Sequence, residues 1–229
     1  MLEIIALNPE DIRQAARGGA DRVELVGTMD ADGLSPDHEQ LHRAVVEAKK
    51  AGIAIRVMLR KRAGFLFEQT DQQALLQLIS ELCENGADGV VLGFLDRFGN
   101  IDHSAISSLE LVQMPVTFHR AIDAATDYFG AWEQLAQLAG RADFNLTQVL
   151  TAGSIQGVNA GLENILAAAK NPFAQNLIMA GGGLAQKHLP LLQAAGISAF
   201  HVGSAVRPDR NWSRPVAAEL VRKWAELIS

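Results

Sequence analysis

Glu24, Arg60 and His119 are three ionisable side chains of different type, and each stands in a short run where polar and apolar residues alternate. In Arg22-Val23-Glu24-Leu25 the polar residues share one parity and the apolar ones the other. Arg56-Val57-Met58-Leu59-Arg60 repeats the split, and Val116-Thr117-Phe118-His119 gives it a third time. A period of two marks a strand whose two faces meet different surroundings. The apolar set is expected to face a packed layer, which turns Arg22, Glu24, Arg56, Arg60, Thr117 and His119 to the other side. Glu3 shares the parity of Ile5 and Leu7, so its direction stays open. A guanidinium can clamp an anion or a carbonyl, with Glu24 or His119 beside it as the acid–base group. The same residues could instead form a neutralised ion-pair plug, because ionisable groups away from water cost desolvation unless they are paired.

These positions need a scaffold, and the chain supplies a repeating one. Short apolar runs at Leu2–Leu7, Arg22–Val26, Ile53–Arg60, Gly89–Gly93, Pro115–His119, Phe144–Thr151, Asn176–Ala180 and Ala199–Gly203 read as strands. Stretches of helical period lie between them, near 9–17, 36–50, 71–85, 104–111, 128–139, 158–169, 185–195 and 215–228. Asn8-Pro9 and Ser35-Pro36 read as helix starts, and Thr70, Asp127 and Asn159 as further caps. Gly19, Gly86 and Gly196 stand where helices should end in a left-handed residue, each followed by a short polar step into the next strand. Unbroken βα alternation without a linker predicts a (β/α)₈ barrel, a TIM barrel, occupying 1–229 as one domain. The segment after the first strand, LNPED, has no glycine, which argues against a doubly wound dinucleotide fold. In such a barrel Glu24, Arg60 and His119 fall towards the carboxyl ends of strands two, three and five, where active sites of this fold are built.

Glycines gather in the late loops. Gly181-Gly182-Gly183 follows the seventh strand and Gly203-Ser204 the eighth, the pair of loops whose backbone N–H groups form the phosphate site of this fold. Ala152-Gly153-Ser154, after the sixth strand, could add a third wall. The expected anion-binding set is therefore Gly153, Ser154, Gly182, Gly183, Gly203 and Ser204. The plain alternative is that these glycines only make tight turns.

Metal signals are weaker. His38 and His42 lie four apart, the spacing that lets two imidazoles share a metal, but among Asp37, Glu39, Gln40 and Arg43 they read as a solvated helix face. Cys83 follows Leu75, Ile79 and Leu82 and reads as core packing, as do Met58 and Met179. No cluster has zinc or copper spacing, and no Walker loop, Ser-His-Asp order or catalytic cysteine motif appears. The 229 residues carry a formal net charge of −6, which speaks against a nucleic-acid partner or an anionic membrane surface but leaves room for a small anionic ligand. No apolar run approaches the ~20 residues of a membrane helix. One cysteine and an acidic start without the order of a signal peptide point to the cytoplasm.

Together, GGADRVEL (18–25), VMLRKRAGFLF (57–67), GADGVVLGFLDRFGNID (86–102), TFHRAID (117–123), VLTAGS (149–154) and IMAGGGL (178–184) resemble the CutC family of copper homeostasis proteins. The match runs in order over most of the chain. The resemblance implies a cytoplasmic, homodimeric barrel associated with copper, with Glu24, Arg60, His119, Arg120 and Asp123 belonging to the rim site. Two positions depart from the family pattern. Val26 stands where a cysteine often follows the strand-two Glu-Leu, and Arg60-Lys61-Arg62 replaces the usual Arg-Pro-Arg. Cu(I) favours thiolate and thioether ligands, so the missing cysteine weighs against direct copper binding. The leading expectation is a CutC-like protein of copper homeostasis with an unassigned small-molecule site at the rim. The second is an enzyme using acid–base chemistry on a phosphorylated or carboxylated metabolite, and the third a barrel that binds copper or a partner without turnover.

Overall fold

All eight expected strands form, and each pairs in parallel with its chain neighbours until the eighth meets the first. They are β1 (Leu2–Ala6), β2 (Arg22–Leu25), β3 (Ala54–Met58), β4 (Gly89–Leu92), β5 (Pro115–Phe118), β6 (Asn145–Thr151), β7 (Ile178–Ala180) and β8 (Ala199–Val202). The helices are α1 (Pro9–Arg17), α2 (His38–Ala51), α3 (Gln72–Asn85), α4 (His103–Ser107), α5 (Tyr128–Ala139), α6 (Val158–Ala168), α7 (Pro172–Leu177), α8 (Leu189–Ala194) and α9 (Ala218–Ile228). This computed structural model describes residues 1–111 and 114–228. The fold is a TIM barrel. Residues 112 and 113, between α4 and β5, lie outside the described residues.

Local chemistry explains most boundaries. Asn8 caps α1 by accepting the Asp11 N–H, with Pro9 at the first helical position. Asp127 caps α5 through the Phe129 and Gly130 N–H groups. Three expected caps move. Asp37, not Ser35, starts α2, in a reciprocal capping box with Gln40. Thr70 sits in a short 3₁₀ turn before α3, and Asn159 lies inside α6, where its side chain accepts Lys187 instead. Strand seven is also shorter than expected: Asn171 caps a helix that begins at Pro172, so Asn176 and Leu177 are helical. The polar steps after the glycine stops have a use. Asp21 accepts the Leu2 N–H and Asp88 the Ile55 N–H, each tying a strand start to the preceding strand.

The alternation sorts the side chains as expected. Leu2, Ile4, Val23, Leu25, Ile55, Val57, Val116 and Phe118 face the helices in one continuous core. The lumen holds the polar set, with Glu3 now resolved as a lumen residue and fully buried. Met58 and Met179 are buried as expected, on the lumen side rather than in the helix layer. Cys83 departs from expectation and is exposed. The buried stripe of α3 is Leu75, Leu78 and Leu82, and one further residue turns ~100° out of that stripe. Among the described residues no helix is long and apolar enough to cross a membrane.

One buried ion pair ties the chain's two ends. Asp11 accepts from Arg207 Nη2 at 2.6 Å, from the Val216 N–H at 2.9 Å and from the Leu7 N–H at 3.0 Å. Arg207 also donates to the carbonyls of Arg214 and Ile5, and its guanidinium lies 5.0 Å from the Trp212 ring centre. Removing one partner strands a charge where water cannot reach it. Asp11→Ala is therefore expected to cost about 3–5 kcal/mol, read as a lower urea midpoint at unchanged slope. A loss under about 1 kcal/mol would show that the pair does not hold the seam.

Candidate functional site

The lumen is divided by depth. Arg22 and Arg56 make a floor. Arg22 pairs with Glu3 and donates to Gln148 at 2.7 Å, while Arg56 donates to Thr117 and, at 2.7 Å, to Thr147. A β-bulge against Val116 and Thr117 inserts one extra residue into β6, so adjacent Thr147 and Gln148 both serve arginines. These residues fit the plug alternative. Above them, at the carboxyl ends of the strands, opens a cavity of about 330 Å³ lined by Glu24, Arg60, His119 and Arg120, and by Gly182, Gly183, Gly203 and Ser204.

His201 connects the two levels. Its Nδ1 lies 2.8 Å from Glu3 Oε1, and its Nε2 lies 3.5 Å from Glu24 Oε2. Burial disfavours its cation, but the two carboxylates outweigh burial and raise its pKa. Burial also works against the Glu3 anion, yet Arg22 and His201 hold that carboxyl down at about 2. Glu24 goes the other way. Burial, reinforced by Glu3 and opposed by His201, lifts it to about 7. Its Oε1 has no hydrogen-bond partner.

His119 directly follows β5 and is held from three sides. Its Nδ1 accepts the Ala121 N–H at 3.2 Å, the Phe65 ring meets it edge-on at 5.3 Å, and Gly93 leaves it room. A Cβ at Gly93 would stand 2.4 Å from Nδ1. Burial first, then Arg60, lowers its pKa to about 3. Its Nε2 is buried without a partner. Arg60 is fixed by the turn between β2 and α2. Its backbone exchanges hydrogen bonds with Ser35, and its Nε and Nη1 donate to the carbonyls of Gly64, Ala31 and Gly33. Nη2 takes no protein acceptor among the described residues.

Asp123 does not reach the cavity. It accepts from Thr151 Oγ1, from the Ala152 and Gly153 N–H groups and from Arg120 Nε, and so fixes the loop after β6 and aims Arg120. Gly153 and Ser154 are committed to that network and stand outside the lining: the Gly153 N–H serves Asp123 and Thr151, and the Ser154 carbonyl accepts Arg120. Gly182 has a left-handed backbone, and a Cβ there would meet Arg120 Nε at 2.6 Å. The N–H groups of Gly182, Gly183, Gly203 and Ser204 have no protein acceptor among the described residues. Arg210 and Trp212, from the segment after β8, complete the mouth. His38 and His42 pair separately with Glu81 and Asn85 on the outer surface, far from this site in the fold.

A family model described as the CutC family matches residues 1–206. The chain belongs to the CutC family. It is 31% identical to a CutC family protein of Vibrio atlanticus over 91% of this chain and 83% of that protein. It is also 31% identical to the human copper homeostasis protein cutC homolog, over 96% of this chain and 81% of that one. The crystal structure of a CutC from Streptococcus agalactiae superposes with a TM-score of 0.76 at 26% identity, covering 89% of this chain and 97% of the other. In this CutC chain the cavity residues that sequence reasoning missed include His201. Phe200-His201-Val202 carries the same alternation as the three runs above, so the signal was present. Trp212 and Arg210 carried no such signal, because they reach the cavity from an irregular segment.

Glu24 and His119 load the pH profile in opposite senses. Between about pH 3 and 6.5 the unfolded chain binds a proton that folded His119 refuses, so this stability is present above 6.5 and lost as pH falls. Between 4.5 and about 7 folded Glu24 keeps a proton that the unfolded chain releases, so its stability is present below 4.5 and lost as pH rises. The two nearly cancel from 4.5 to 6.5. Relative to the parent, Glu24→Gln is expected to gain stability with rising pH, by about 1.4 kcal/mol per unit, and His119→Gln to lose it at a similar rate. Urea unfolding at several pH values across that window measures both slopes, and slopes of the same sign would contradict this assignment.

Proposed function

We propose that this CutC-family barrel is an enzyme that moves protons on a small anionic metabolite, phosphorylated or carboxylated, with Glu24 as the proton-transferring group. One observation carries the reading. Glu24 Oε1 and His119 Nε2 are both buried, both without a hydrogen-bond partner, and both belong to residues lining one cavity. Each such orphan costs a fold about 1–3 kcal/mol, a cost that a ligand making the missing bonds removes. A carboxyl group titrating near 7 is matched to proton transfer at neutral pH. The charge of the metabolite is met by the open amides of Gly182, Gly183, Gly203 and Ser204, with Arg120 and Arg210 at the mouth. A cytoplasmic homodimer is the setting we infer from the family resemblance.

Copper homeostasis, the role in the human relative's name, is the cellular context we propose for this chemistry. Direct capture of Cu(I) through a thiolate does not fit the donors. Among the described residues no three His, Cys, Asp or Glu side chains are grouped to hold a metal ion, and the single thiol, Cys83, is on the outer surface. Competition with a strong Cu(I) chelator is expected to leave the protein metal-free, and Cys83→Ser to change nothing. Stoichiometric copper that survives the chelator would refute this part.

Amide NMR during a phosphate titration tests the anion seat. The Gly182, Gly183, Gly203 and Ser204 signals are expected to move first, and Arg210→Ala to weaken binding several-fold. Shifts that leave those four amides unmoved at millimolar phosphate would sink the reading.

A further inference from the structure

His119 carries its hydrogen in a defined place. Because Nδ1 accepts the Ala121 N–H, the neutral ring bears its proton on Nε2. That N–H is the buried group without an acceptor. With its pKa lowered to about 3, the ring is a neutral donor across physiological pH and not a proton source. Phe65 joins it to a cation: the Arg60 guanidinium lies 4.9 Å from the face centre of the ring whose edge meets His119. Arg60 Nη2 is the one nitrogen of that group not committed to backbone carbonyls. Glu24 is on β2, three strands away round the barrel, with an unpartnered carboxylate oxygen. The cavity therefore sets a base of neutral-range pKa against a neutral N–H donor backed by a guanidinium.

Resting on the acid–base reading above, we propose that the substrate is a phosphorylated carbonyl compound and the reaction a reversible proton transfer at the carbon beside the carbonyl. The Glu24 carboxylate removes the C–H proton. The C–H bonding pair becomes the C=C bond of an enolate, and the carbonyl π pair moves onto oxygen, where His119 Nε2–H and Arg60 Nη2 receive it. The protonated Glu24 then returns the proton, either to the same carbon or, once the enediol oxygens have exchanged theirs, to the neighbouring one. Glu24 is regenerated, and no external oxidant or reductant is consumed. A neutral imidazole paired with a glutamate base is an established way to polarise a carbonyl for enolisation. Charge developing on that oxygen is stabilised most by donors already in place and shielded from water. Four open amides and two arginines at the mouth offer more donors than a two-oxygen carboxylate can use, which favours the three terminal oxygens of a phosphate ester.

Phosphoglycolohydroxamate, which joins a phosphate to a planar mimic of an enediolate, separates this inference from the reading beneath it. By calorimetry it is expected to bind at least ~100-fold tighter than inorganic phosphate. His119→Phe should remove most of that advantage, and His119→Gln, which keeps a side-chain N–H, should retain part of it, with phosphate binding unchanged in both. Proton NMR of dihydroxyacetone phosphate in deuterated water provides a second measure, with exchange at carbon expected in the parent and absent in Glu24→Gln. If the hydroxamate binds no tighter than phosphate, or keeps its advantage in His119→Phe, while phosphate still moves the Gly182 and Gly183 amides, the enolate inference is overturned and the anion seat stands. If phosphate does not bind either, both readings fall together.

Discussion

Two guanidinium groups lie in the lumen beneath the cavity, and the rest of the site depends on how they are partnered. Arg22 is accepted there because Glu3 and Gln148 surround it, and Arg56 because Thr117 and Thr147 do. Unpaired, either would demand several kcal/mol of desolvation that a barrel of this size could not absorb. These partners make a buried, fixed floor. It also does more than fill space, because Glu3 is shared between Arg22 below and His201 above. The imidazole is thereby held with its other nitrogen towards Glu24. The structural ion pair and the Glu24 carboxyl are one electrostatic unit, and a change in the floor is felt at the rim.

Carboxylates that never touch the cavity give the rim its shape. Asp123 gathers the Thr151 hydroxyl, two backbone N–H groups and Arg120, so the loop after β6 is spent on orienting a guanidinium. Asp11 does the same at the opposite seam, where Arg207 anchors the segment that brings Arg210 and Trp212 over the opening. Ser35 fixes the backbone of Arg60 from a neighbouring loop. Each is a short, charge-assisted or hydroxyl-mediated staple, stronger than an ordinary neutral hydrogen bond where an ion takes part. They let irregular loops carry side chains with the definition usually found on strands.

The alternation in Arg22–Leu25, Arg56–Arg60 and Val116–His119 was enough to name the lumen residues, because side-chain direction in a strand follows from backbone geometry alone. The same test applied to Phe200-His201-Val202 would have named His201. Cys83 shows where pattern reading fails: one residue beyond a stripe leaves it, and a small apolar side chain tolerates either face. Gly153 shows another limit. Glycine content marks a loop that can present amides, but whether the Gly153 amide is open depends on Asp123, thirty residues away in the chain.

The sequence by itself determined the closed parallel barrel, the ends of most helices and the inward parity of Glu24, Arg60 and His119. These are local properties, set by period, capping chemistry and glycine stops within a few residues. Only the tertiary structure decided depth. Arg22 and Glu24 share one strand and one parity, yet one belongs to the floor and the other to the cavity. That division comes from strand tilt and stagger, which closure of the whole barrel imposes. Closure likewise chose partners that sequence distance hides, such as Asp11 with Arg207 at a separation of 196 residues, and Glu3 with His201 at 198. Two charges that far apart along the chain find each other only because the first and last strands must hydrogen-bond, and burial then leaves them no other way to be neutralised.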